Sequence, residues 1–74
     1  MNRLIEMLRT SAQADKAKAL LSLELLDSKA VGIGDHSIRD FYKNAEEALS
    51  MLGSAEDRLK TLDKYFLYKD QING

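Results

Sequence analysis

The chain has 74 residues, no Cys, Pro or Trp, and a formal net charge of −1. This length fits one small domain and excludes a two-domain enzyme with a closed active-site cleft, and the lack of Cys excludes disulfides and thiolate metal sites. Eleven Lys and Arg against 12 Asp and Glu exclude a polybasic surface for nucleic acid or anionic membranes. Good helix formers dominate and no alternating β pattern occurs, so the composition predicts an all-α protein.

The N-terminal part of the chain predicts two helices. Residues 2–10 carry apolar side chains at helical spacing, namely Leu4, Ile5 and Leu8. Thr10 or Ser11 is suited to cap a second helix over residues 12–28. One continuous helix is the alternative, and the sequence leaves the choice open.

The second predicted helix is apolar around much of its circumference. Two rows of side chains run along it: Ala14, Ala17 and Leu21 in one, and Ala19, Leu23 and Leu26 in the other. A helix of this kind lies at the centre of a bundle or is shared with a second subunit. In so small a chain the second arrangement has to be considered.

Residues 29–37 form the predicted loop. Gly32 and Gly34 end the preceding helix, and Ser37 with Asp40 resembles the start of the next one. Free N–H groups at a helix N-terminus attract phosphate or carboxylate, so the loop is a candidate ligand site as well as a plain connection. The residues that would form this site are Gly32, Gly34, Asp35, His36, Ser37 and Arg39.

The remainder of the chain, residues 38–68, predicts a long helix with a regular apolar seam. Its members alternate at spacings of three and four: Ile38, Phe41, Ala45, Ala48, Leu52, Ala55, Leu59, Leu62 and Phe66. Gly53 and Ser54 interrupt this pattern as a possible stop and new N-cap. We favour one long helix, with a possible kink at Gly53, over a three-helix bundle broken at residues 53–54.

A long C-terminal helix would leave part of its seam without a partner. The helix over residues 12–28 can cover only half of it, so Leu59, Leu62 and Phe66 would remain uncovered. Chains of this size also struggle to build a sufficient core alone. We therefore expect a homodimer or higher oligomer, with coiled-coil packing through Leu21, Leu25, Leu59, Leu62, Tyr65, Phe66 and Tyr68.

The sequence offers little for catalysis, cofactors or membranes. Asp35, His36 and Ser37 are adjacent and point in different directions, unlike a catalytic triad, and a lone His provides no metal site. The N-terminus places Glu6 and Arg9 within any signal-peptide core. We expect no enzyme activity, no cofactor, no metal, no nucleic-acid or membrane partner, and a cytoplasmic location.

Four segments carry a resemblance to other proteins: residues 21–26, 31–37, 40–49 and 57–66, with Gly-Ile-Gly-Asp-His-Ser the most specific. The chain resembles small uncharacterised helical proteins of large tailed phages, chiefly marine and cyanobacterial ones. The resemblance implies a phage-encoded accessory factor acting in the host cytoplasm, and it carries no functional residue.

Two hypotheses follow from these patterns. The first is a non-enzymatic helical protein that self-associates and binds a host or phage protein. The second is a small-anion or nucleotide-binding protein that uses the Gly32–Ser37 loop at a subunit interface.

Overall fold

A computed structural model describes residues 3–30 and 38–67, except for the side chain of Leu67. The first helix, α1, spans Arg3–Lys29, and the second, α2, spans Ile38–Leu62. A π-helical turn, Asp63–Leu67, continues α2. The described residues contain no strand, which confirms the predicted all-α class and fits a helical hairpin.

Helix α1 is continuous where the sequence suggested a boundary between two helices. The Thr10 hydroxyl does not cap a new helix; it donates a hydrogen bond to the backbone oxygen of Glu6, at 3.0 Å. A threonine can occupy a helix interior in this way because its hydroxyl bonds to a carbonyl one turn earlier. The described part of the first predicted helix, residues 3–10, and the second, residues 12–28, are therefore parts of one helix, Arg3–Lys29.

Helix α2 is likewise continuous through Gly53. Ser54 does not begin a new helix, and its backbone oxygen accepts a hydrogen bond from Arg58 Nε at 3.3 Å. A Cβ atom added to Gly53 would have no neighbour within 4 Å, so no close packing requires a glycine there. The described residues do not form the three-helix alternative. One Gly in a helix interior destabilises the helix by only about 1 kcal/mol, which is too little to break a well-packed helix.

The two helices pack antiparallel, as three ion pairs between them show. Arg9 bonds to Asp63 near one end, and Lys16 Nζ lies 3.9 Å from a Glu56 carboxylate oxygen further along. Residue numbers therefore rise in α1 as they fall in α2. The residues involved are partly exposed, so each pair contributes only about 0.2–1 kcal/mol and acts mainly on the alignment of the helices.

The core is one narrow seam of small residues. Among the residues that the structure describes, six apolar ones are buried, spaced by seven in each helix: Ile5, Ala12 and Ala19 in α1, and Ala48, Ala55 and Leu62 in α2. A spacing of seven keeps residues on the same side of a helix that coils around its partner. Alanine at four of the six positions lets the two backbones approach closely.

Helix α1 covers more of the α2 seam than the sequence suggested. Leu62 is only 8% exposed and Leu59 is half-buried, although both were expected to lack a partner within the chain. The expectation is wrong for these two residues because α1, at 27 residues, is about 40 Å long. Phe66 and Ile38, at the two ends of the seam, are 39% and 53% exposed.

The hairpin leaves many large apolar side chains exposed. Leu4, Met7, Leu21 and Leu49 are each more than half exposed. No large side chain is fully buried among the described residues. A single layer of two helices explains both observations, since each helix can hide only one face.

Candidate functional site

Helix α1 carries a second row of side chains that does not face α2 and is apolar at five of its seven positions. Its members follow the same alternating spacing as the seam and are all exposed: Leu4, Met7, Ser11, Ala14, Lys18, Leu21 and Leu25. We call this row the outer stripe of α1. The four large apolar side chains are between 50% and 63% exposed, so the hairpin leaves half or more of each of these residues uncovered.

The outer stripe follows from the geometry of the helix. Successive residues are rotated by about 100°, so a residue two positions after a buried one points almost directly away from the core. Ala14 follows buried Ala12 in this way, and Leu21 follows buried Ala19. Helix α1 is thus apolar on two separate sides, which is atypical of a helix with one buried face.

The corresponding outward face of α2 is polar throughout. It consists of Arg39, Lys43, Glu46, Ser50, Gly53, Asp57, Lys60 and Lys64, all exposed. Six of these eight residues are charged, with basic side chains toward both ends and the two acidic ones between them. The two outward faces of the hairpin therefore differ sharply: that of α2 suits water, and that of α1 suits another protein.

A smaller apolar area lies along one edge of the hairpin. Leu20, Tyr42 and Leu49 are 43%, 63% and 61% exposed. They lie on the same edge of the hairpin as the Lys16–Glu56 ion pair, nearer to the end of the hairpin where α1 ends and α2 begins. We call these three residues the edge patch.

The opposite edge carries a groove that an ion pair borders. The groove has a volume of about 280 Å³, and the residues that line it are Leu8, Ser11, Asp57, Arg58, Thr61 and Leu62. Arg58 donates from its guanidinium to Asp15, at 3.0 Å. A second groove of about 410 Å³ on this edge includes Leu25 and Met51. Both grooves lie on the surface between two helices, where a side chain of another protein can enter.

The predicted interface residues do not lie on one surface. Leu21 and Leu25 belong to the outer stripe, whereas Leu59 and Leu62 belong to the seam between α1 and α2. Tyr65 and Phe66, in the π-helical turn, are 52% and 39% exposed. Tyr68 lies outside the described residues.

The predicted ligand loop also falls outside the described residues, at Gly32, Gly34, Asp35, His36 and Ser37. Its remaining member, Arg39, lies exposed in the first turn of α2.

Sequence reasoning overlooked the N-terminal half of the outer stripe, Leu4 and Met7, and also Tyr42 and Leu49. The spacing of three and four that identified the α2 seam runs equally through the stripe, from Leu4 to Leu25. The same spacing, applied to both sides of the first helix, predicts the stripe. Leu49 and Tyr42 differ in lying beside the seam, and only the packed hairpin shows that α1 leaves them uncovered.

The described residues show no arrangement suited to catalysis by a metal. No group of three His, Asp or Glu side chains lies close enough together there to hold a metal ion. Neither of the described helices combines the length and apolar character that crossing a membrane requires.

Comparison with known proteins adds no assignment. No protein-family model, curated protein or solved structure matches this chain.

Proposed function

We propose that this protein is a non-enzymatic helical interaction protein that self-associates and binds another protein. The observation that carries the proposal is the outer stripe of α1, which runs the length of the helix and is uncovered in the hairpin. Soluble monomers seldom expose an apolar surface of this extent unless it serves an interaction.

The edge patch supports the second half of the proposal. Leu20, Tyr42 and Leu49 lie away from the outer stripe, so a chain that self-associates through the stripe still exposes them. Aromatic and aliphatic side chains bordered by charged residues are typical of protein–protein contacts. The resemblance to small phage proteins favours an accessory factor acting in the cytoplasm of a bacterial host, with a host or phage protein as its partner.

Mass in solution tests self-association. Sedimentation equilibrium from micromolar to hundred-micromolar concentration should show a mass that rises from 8.3 kDa to at least twice that value. A chain that stays monomeric at the highest concentration contradicts the proposal, because the outer stripe would then remain exposed to water without a partner.

Site-specific crosslinking tests binding to another protein. A photo-reactive residue in place of Leu49 should give a discrete adduct in the producing cell, whereas the same residue in place of Lys60, on the polar face of α2, should give none. Equal adducts from both positions would show non-specific contact and contradict this half of the proposal.

A further inference from the structure

We infer that the outer stripe of α1 binds the outer stripe of a second copy, with the two α1 helices antiparallel. This inference rests on the proposed function and adds the surface, the partner and the orientation. The resulting contact is isologous: each copy uses the same residues, and the two-fold axis crosses α1 near its middle.

The stripe presents large apolar side chains to a second copy. Leu4, Met7 and Leu21 are 61%, 63% and 57% exposed. Contact with a second copy would remove their apolar surface from water, which is favourable.

The order of residues along the stripe suits an antiparallel pair. The register that sets Ser11 level with Ala14 of the second copy also sets Leu4 level with Leu21, and Met7 level with Lys18. Small residues then meet at the centre, where they allow close approach, Leu4 meets Leu21 on both sides, and Leu25 lies beyond the contact. Lys18 can pack its apolar stem on Met7 while its ammonium group reaches water.

Charge favours the same orientation. Arg3 and Glu24 lie at opposite ends of α1 beside the stripe, and both are exposed. In the antiparallel register, Arg3 comes within about 3 Å along the axis of the level of Glu24 in the second copy, twice per dimer. A parallel pair would instead set Lys18 beside Lys18 of the second copy, an unfavourable like-charge contact, and would leave Arg3 and Glu24 at opposite ends of the dimer.

No other outward face is equally suited to a second copy. The outward face of α2 carries six charged residues and no large apolar one. The edge patch contains only Leu20, Tyr42 and Leu49 as strongly exposed apolar residues, and it is about half as long as the stripe.

The first test compares two equivalent substitutions. Leu21→Lys, in the outer stripe, should raise the dimer dissociation constant about tenfold or more, because two leucines per dimer lose their apolar cover. Leu49→Lys, at a similarly exposed position of α2, should leave it unchanged. Circular dichroism should show the same helix content in both variants, since neither side chain is part of the core.

The second test measures orientation by crosslinking. The chain has no Cys, so single-cysteine variants react with a short bis-maleimide only at the chosen position. An antiparallel dimer should crosslink Ser11→Cys to itself, and Arg3→Cys to Glu24→Cys when the two variants are mixed. Neither Arg3→Cys nor Glu24→Cys should crosslink alone.

A third variant is designed to strengthen the dimer, so that loss of folding cannot explain the expected result. Lys18→Leu completes the apolar stripe and should lower the dissociation constant severalfold; an unchanged or higher value counts against the inference. Dimerisation that survives Leu21→Lys, or self-crosslinking at Arg3→Cys, overturns the surface or the orientation while the proposed self-association stands. A wild-type chain that is monomeric throughout overturns both.

Discussion

Replacing Gly53 by alanine should stabilise the protein. Gly53 lies in the interior of α2 on its polar outward face, and an added methyl group has no neighbour within 4 Å. Its φ angle is not positive, so alanine adopts the same backbone conformation without strain. Alanine is favoured over glycine in a helix interior by about 0.8–1.0 kcal/mol, and no packing change offsets this gain.

The gain in free energy corresponds to a measurable shift in melting temperature. Unfolding entropy of about 2.1 cal/mol/K per residue makes 1 kcal/mol equivalent to about 6 °C for a chain of 74 residues. Thermal unfolding followed by circular dichroism measures this shift. Wild type and variant must be compared at equal concentration, because self-association also raises the melting temperature.

A matched control distinguishes a helical Gly53 from a hinge. Ser50→Gly, one turn earlier on the same face, should lower stability by about 0.5 kcal/mol. If Gly53 were instead a break between two helices, alanine would lower the melting temperature or leave it unchanged. That result, together with a normal response at Ser50, would refute a continuous α2.

Three further substitutions test other parts of the hairpin by the same unfolding measurement. Thr10→Ala should stabilise the chain by up to about 0.7 kcal/mol because Thr10 lies inside α1, whereas removal of a true N-cap would cost about 1 kcal/mol. Ala55→Leu should cost about 1–3 kcal/mol because this fully buried position has no room for a larger side chain; Ala17→Leu, on an exposed face, should change stability by less than about 0.5 kcal/mol. Asp15→Asn should cost less than about 1 kcal/mol, with a smaller loss at high salt, because both Asp15 and its partner Arg58 are partly exposed; a loss above that limit would show that the pair does more than align the helices.

The seam of α2 was predictable because its signal is local and repeated. Each of its members recurs at the spacing that places it on one side of a helix, and the structure buries or half-buries all but the two ends, Ile38 and Phe66. The continuity of α2 through Gly53 follows from the same logic, since the pattern keeps its phase across the glycine.

The continuity of α1 was harder to predict because capping residues are ambiguous. Thr10 and Ser11 have the side chains of an N-cap, and the same hydroxyl groups also bond within a helix, as Thr10 does to Glu6. Which of the two occurs depends on whether the flanking segments find a common partner. Here α2 provides one, because Ile5 and Ala12 lie on opposite sides of Thr10 in sequence and are both buried.

This continuity changes where a second chain can bind. Had α1 begun after Ser11, the C-terminal end of the α2 seam would have been the free apolar surface, and a partner would have been expected near Leu62. Because α1 extends back to Arg3, it covers Leu62 itself, and the surplus apolar surface lies on its own outward side. In the proposed dimer the two α1 helices are therefore central, and each α2 presents its charged face outward. The same preference for shielding apolar surface from water then accounts for both contacts of α1: the seam within the chain and the stripe between chains.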